Sequence, residues 1–187
     1  MALSHKHLLV VSTGIAAQAA VMVLLNAYVP KLCHGMDMMW IAFQAWAVYF
    51  LAGCTPKAGA KAWVGYLSGI IASIIIIKLM GVPGINKITA DLGGMNLLMA
   101  VAVFIIVIPA IMTENLNNFV PGLFIGSGAF FATLGSKALE AALPAAASQN
   151  TTFLYAAQAE LVYCLFGLAF GYITVLCRGK YEASLAK

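Results

Sequence analysis

Charge is what this sequence has least of. Asp, Glu, Lys and Arg together make up 9% of its 187 residues, against about 25% in a soluble domain. Six carboxylates and ten cations are too few to coat a folded globule. A chain that is 63% hydrophobic, with mean hydropathy +0.97, therefore has lipid as its main solvent. The cations are scattered and the net charge is only +4, so charge-driven disorder and a nucleic-acid surface both fall away, and no nucleic acid is expected as a partner. The motifs of hydrolysis are missing as well: there is no G-x-x-x-x-G-K-[ST], no H-E-x-x-H, no paired carboxylates and no G-x-S-x-G. Nucleotide hydrolysis and intramembrane hydrolysis have no candidate site, so neither an enzyme nor a cofactor is expected. A Thr-Val-Gly-Tyr-Gly filter, a charged ring and an Arg-rich helix are also missing, which argues against a selective or voltage-gated ion channel. Cys33, Cys54, Cys164 and Cys177 form no disulfide framework, and in apolar segments a thiol behaves as a small hydrophobe.

What is present is apolar sequence in lengths that suit a bilayer. A hydrocarbon core of about 30 Å takes roughly 20 residues per helix, and six stretches qualify: Leu8–Tyr28, Met38–Gly53, Ala58–Met80, Leu92–Met112, Phe119–Gly135 and Phe153–Cys177. The expectation is an all-α integral membrane protein of about six helices in a single domain. The first stretch follows Met-Ala-Leu-Ser-His-Lys-His without an A-x-A-like cleavage site and reads as a retained helix. Turn formers separate the stretches: Pro30 and Gly35, Thr55-Pro56-Lys57, Gly81-Val82-Pro83-Gly84 and the run from Glu114 to Asn118. The longest connection, Ser136 to Thr152, is Ala-rich and broken by Pro144, which fits a short interfacial helix or a re-entrant piece. With the N-terminus inside, Lys6, Lys57, Lys61, Arg178, Lys180 and Lys187 are cytoplasmic and Lys31, Lys78, Lys87 and Lys137 are not, a bias that favours both termini inside. Asn150-Thr151-Thr152 matches a glycosylation acceptor, a tripeptide close to chance expectation.

Duplication is common in membrane transport folds. Tyr49-Phe50-Leu51-Ala52 is followed 81 residues later by Phe130-Phe131-Ala132-Thr133, and Gly65-x-x-x-Gly69 is matched by Gly167-x-x-x-Gly171. Pro30 and Pro109 fall near the ends of the first and fourth stretches. These pairs suggest repeat units 8–81 and 89–177 of three helices each, and an odd number would set the two halves in opposite orientations. Recurrence of small and aromatic residues in any apolar chain is the competing explanation. Gly53-Cys54-Thr55, the run Phe119-Val120-Pro121-Gly122-Leu123-Phe124-Ile125-Gly126, and Gly167 with Phe170-Gly171-Tyr172 resemble the YcdZ-like family of bacterial inner-membrane proteins, a group of unknown function. The resemblance runs from about Trp40 to Val175. The stretch from Ala142 to Gln158 looks like an insertion, and the first stretch matches only in character. The resemblance implies a bacterial inner-membrane location and a compact multi-span fold, and it brings no substrate.

Glu160 is the one ionisable residue well inside an apolar stretch, where a carboxylate costs about 2.5–3.5 kcal/mol on insertion scales. It stands seven residues into the sixth stretch, about 10 Å down at the helical rise. Ala156, Tyr163, Cys164, Gly167 and Gly171 share its side, so it should face the bundle interior. A proton or cation relay is the functional reading, and a structural carboxyl bonded to a neighbouring helix is the bland one. Gln18, Gln44, Ser68, Ser73, Asn96, Ser127 and Thr174 are the uncharged polar groups within the stretches, fit to line a pore for neutral solutes or to bond helices together. Gly65 and Gly69, like Gly167 and Gly171, allow close helix packing. Pro121-Gly122 beside Asn117 and Asn118 has the punctuation of a broken helix at a solute site, and equally that of a loop before a helix with Pro in its first turn. Cys33-His34-Gly35-Met36-Asp37-Met38-Met39 holds soft metal ligands, but its methionines adjoin Trp40 and an apolar stretch, so no metal is expected.

Three functions are consistent with these residues. The first is a passive channel or facilitator for a small polar, uncharged or weak-acid solute, assembled as a homo-oligomer, with a pore lined by Gln44, Phe50, Pro121, Gly122, Gly126, Ser127, Phe131 and Glu160. The second is a proton-coupled secondary transporter using Glu160. The third is a non-transporting membrane subunit of a larger complex.

Overall fold

A computed structural model describes residues 5–82, 94–113 and 119–185, the side chains of 94–96 excepted. Pro83, Gly84, Lys87, Leu92, the connection 114–118 with Asn117 and Asn118, Lys187 and the Asn96 side chain lie outside the described residues. Among the described residues seven α-helices run in the order α1 (His5–Leu25), α2 (Met39–Leu51), α3 (Pro56–Met80), α4 (Gly94–Met112), α5 (Val120–Leu134), α6 (Lys137–Ala142) and α7 (Gln149–Leu185), with a 3₁₀ turn at Val29–Leu32 between α1 and α2. No strand occurs among the described residues. This is the all-α membrane architecture that the apolar stretches require, because a helix satisfies its backbone internally in lipid.

Helix boundaries follow local chemistry. Thr55 caps α3, its hydroxyl accepting from the Ala58 N–H at 3.1 Å, with Pro56 in the first turn. Ser136 caps α6 in the same way, accepting from the Leu139 N–H at 3.2 Å, so the long connection does contain a short helix. At the end of α2 the chain turns through Gly53 at φ +110° and Cys54 at φ +61°, a conformation in which glycine meets no steric penalty.

Lengths differ more than the sequence pattern suggests. At 1.5 Å per residue, α1, α3 and α7 are about 32, 38 and 56 Å long and exceed a hydrocarbon core; these three are long and apolar enough to cross a membrane. The shorter apolar helices are Met39–Leu51, Leu97–Met112 within α4, and Val120–Leu134. Of these, α2 is about 20 Å long and α5 about 23 Å. The chain ahead of α2 compensates, since Val29, Cys33, Met36 and Met38 are all buried in the core. Irregular backbone at such depth is tolerated where protein covers it. Here Gln158 donates to the Leu32 carbonyl at 2.9 Å, Tyr163 to the Met36 carbonyl at 3.3 Å, and Asn26 to Asp37 Oδ1 at 3.0 Å.

Two helix pairs dominate the packing, α3 with α5 and α2 with α7. Both are parallel. Gly65 meets Phe119 and Gly122, Gly69 meets Leu123 and Gly126, and Ser73 reaches Ser127, so α3 and α5 advance together. Gly167 meets Ala42 and Gly171 meets Tyr49, so α2 and α7 advance together as well. Between the pairs the direction reverses: Lys78, at the end of α3, bonds Gln149 and Asn150 at the start of α7. α4 packs on α3 and α1 on α7. The start of α1 returns to the end of α7, where His7 lies 3.9 Å from Glu182 and its ring 5.3 Å from that of Tyr181.

Candidate functional site

Glu160 sits in the middle of this arrangement. It is fully buried, and neither carboxyl oxygen has a hydrogen-bond partner among the described residues. Because α7 begins at Gln149 and not at Phe153, Glu160 lies about 17 Å along its helix, deeper than the 10 Å read from the sequence. Ala156, Tyr163, Cys164, Gly167 and Gly171 are buried with it, as the helical spacing requires. Tyr66 of α3 and Cys164 stand within electrostatic reach of its carboxyl. The Tyr66 hydroxyl is likewise buried and without a hydrogen-bond partner among the described residues. Tyr66 went unremarked in the sequence, although it lies inside the Gly65-x-x-x-Gly69 stripe that marks a helix contact. Glu160 is in the lining of none of the four main clefts found among the described residues.

The other expected pore residues do not gather around Glu160. Gln44 is exposed on the outer face of α2, and Phe50, 41% exposed, borders a cleft with Ile15, Cys54 and Arg178. Pro121 is exposed in the first turn of α5, so its place is that of Pro opening a helix. Gly122 and Gly126 stand where α5 packs on α3. A Cβ on Gly122 would lie 3.0 Å from the Ala62 carbonyl oxygen, and one on Gly126 would lie 2.6 Å from Tyr66 Cα, so α3 fills the space a solute would need. Ser127 is half-buried and shares a 2.7 Å hydrogen bond with Ser73 of α3, while Phe131 is half-buried further along α5. Gly65 and Gly69 form the other side of that crossing, and Gly167 and Gly171 form the crossing with α2.

A second polar chain spreads over three helices, and its Trp46 carried no signal in the sequence. Trp46 Nε1 donates to Thr174 Oγ1 at 3.0 Å, and that hydroxyl reaches Gln18 Oε1 at 2.6 Å. Gln18 and Thr174 therefore tie α1, α2 and α7 together, which is the interhelical bonding considered for them. Ser68 spends its proton on the Val64 carbonyl of its own helix. In the segment before α2, the Cys33 thiol is buried and burial pushes its pKa up to about 11, which disfavours the thiolate that soft metals require. Met36 and Met38 are core hydrophobes. Nearby, His34 stacks on Tyr155 with ring centroids 3.7 Å apart and bonds Gln158 at 3.0 Å.

No curated protein and no solved structure matches this chain. One family model does, over residues 11–179, a longer stretch than the one from Trp40 to Val175 that carried the resemblance, and one that takes in most of α1. With that share of its length matched, the chain belongs to the family described as a protein of unknown function, DUF1097.

Proposed function

We propose that this protein moves a small polar, uncharged or weak-acid solute across a bilayer, as a facilitator made of two three-helix units in opposite orientation. The observation that carries this reading is the correspondence between the two dominant helix pairs. Exchanging α1, α2 and α3 for α4, α5 and α7 turns the α3–α5 pair into α7–α2, and the α3–α4 contact into α7–α1. Each dominant pair is parallel, each crosses at glycines of its long helix, and the two run against each other. Inverted repeats of this kind bring their binding sites to the interface between repeats near the bilayer midplane, and the α3–α7 contact that maps onto itself is where Tyr66 and Glu160 stand. With α3 filling the space at Gly122 and Gly126, passage in this reading occurs by relative movement of the units at that seam. Gln44, exposed on an apolar helix, supports contact between copies in a homo-oligomer. A bacterial inner membrane with both termini cytoplasmic remains part of this reading, on the Lys and Arg bias.

Stopped-flow light scattering on vesicles holding the purified protein, with a panel of small uncharged and weak-acid solutes, is the test. The expected outcome is permeation of one solute class above that of empty vesicles. Vesicles that admit every solute at the rate of the bare bilayer would count against the proposal.

A further inference from the structure

We infer that Glu160 is a proton-binding site, loaded from and emptied to water as the α3–α7 seam opens. The inference starts from burial. A carboxylate sealed from solvent with no donor on either oxygen is among the costliest groups a bilayer protein can hold, so something must cancel its charge. Among the described residues no cation pairs with it. Lys78, on the helix that faces α7, is turned to Gln149 and Asn150 and sits over the Phe153 ring. Arg178 pairs with Glu182 at 2.8 Å, far down α7.

Among the described residues, the titratable groups around Glu160 are few. Tyr66 of α3 lies within its electrostatic reach and Cys164 lies one turn along α7. Tyr163, on the same helix, gives its proton to the Met36 carbonyl. From α2, Tyr49 packs lower down, against Gly171. From α5, Phe130 comes near Phe153 with ring centroids 6.1 Å apart, and from α1 the contact runs through Gln18 and Thr174. An alkali or divalent cation would need a cage of several oxygens, whereas this pocket offers the carboxyl and one phenol among alanines, a cysteine and glycine crossings. A proton needs no cage. It adds to one carboxylate oxygen, leaves a neutral acid, and returns to water by breaking the same O–H bond, with no change elsewhere in the balance of atoms or electrons.

The use of this proton in solute movement rests on the transport reading above; the site itself does not. Infrared absorption of the purified full chain in lipid nanodiscs tests the site directly, comparing wild type with Glu160→Gln at neutral pH. The expected result is one protonated-carboxyl band in wild type that Glu160→Gln lacks, with the same helical content by circular dichroism. Identical spectra for the two proteins overturn the inference. Should Glu160→Gln fail to fold, Glu160→Asp decides: its carboxyl, one methylene shorter, must give a displaced band, and an unmoved spectrum overturns the site. Replacing sodium by choline should leave the band unchanged. A band that grows on removing sodium assigns the pocket to an alkali cation and also overturns the inference. The two proposals fail separately, since a band without solute flux leaves the site standing and refutes the facilitator, while flux without a band does the reverse.

Discussion

At the α3–α5 crossing glycine stands on both helices, and at the α2–α7 crossing on only one. Gly65, Gly69, Gly122 and Gly126 bring two backbones together with little between them, and the polar supplement is the Ser73–Ser127 bond. On the other side Gly167 and Gly171 receive Ala42 and Tyr49. That contact is filled out by rings, with Trp46 and Phe170 centroids 5.9 Å apart and the Trp46–Thr174–Gln18 chain holding a third helix. Without a hydrophobic force between helices in lipid, close packing and hydrogen bonds must do the joining. The first pair relies mainly on packing and the second divides the task. The first meets backbone at each of its four glycines and the second only at Gly167, against the Ala42 carbonyl, so away from Gly167 the first should be the more brittle to added volume and the second to lost hydrogen bonds.

The sharpest way to break this contrast is to add a methyl group to each crossing. Gly126→Ala would place its Cβ 2.6 Å from Tyr66 Cα and 2.8 Å from the Tyr66 carbonyl oxygen, atoms that can withdraw only if the helices part. A loss of about 3 kcal/mol is expected, read as a fall in the unfolding midpoint of the detergent-solubilised protein. Gly171→Ala meets Tyr49 instead, at 2.6 Å from Cβ, which moves only with its backbone, and 2.7 Å from Cγ, beyond which the ring can rotate, and about 2 kcal/mol is expected. A larger loss at Gly171 than at Gly126 would reverse the comparison.

Hydrogen bonds test it from the other direction. Thr174→Val leaves Trp46 Nε1 buried without its acceptor and frees Gln18, for about 1–2 kcal/mol. Ser127→Ala removes one hydroxyl pair, for about 0.6 kcal/mol, the average of interhelical hydrogen bonds measured in a membrane protein. Thermal unfolding of the two variants side by side should rank Thr174→Val as the more damaging. Close to these in size is Gly59→Ala, whose Cβ meets only the outer edge of the Tyr49 ring, 2.9 Å from Cε2. It should cost about 1 kcal/mol, and pairing it with Tyr49→Leu should recover most of that.

Much of the fold was legible before any coordinates. Five of the six apolar stretches match helices to within three residues at each end, and only α7 runs well past its stretch, to Leu185. A helix in lipid must be apolar along its whole length, while α7 beyond Cys177 carries Arg178, Lys180 and Glu182, residues that read as loop and here continue the helix. The inward side of Glu160 was legible too, because Ala156, Tyr163, Cys164, Gly167 and Gly171 repeat at helical spacing. What covers each small-residue stripe was not. Gly122 and Gly126 read equally well as room for a solute and as room for a helix, and Tyr66 carried no pattern of its own.

Composition and the placing of charge along the chain determined that it lives in lipid, that it is all helix, and that one carboxyl stands within an apolar stretch away from most other charges. Those conclusions need only the energy of moving each side chain and each peptide group between water and hydrocarbon, a sum over residues taken one at a time. The tertiary structure decided which helix fills which groove, that the segment before α2 is core and not surface, and that Tyr66 comes within electrostatic reach of Glu160. These depend on contacts between residues far apart in the chain, and along a uniformly apolar sequence no local energy distinguishes one partner from another.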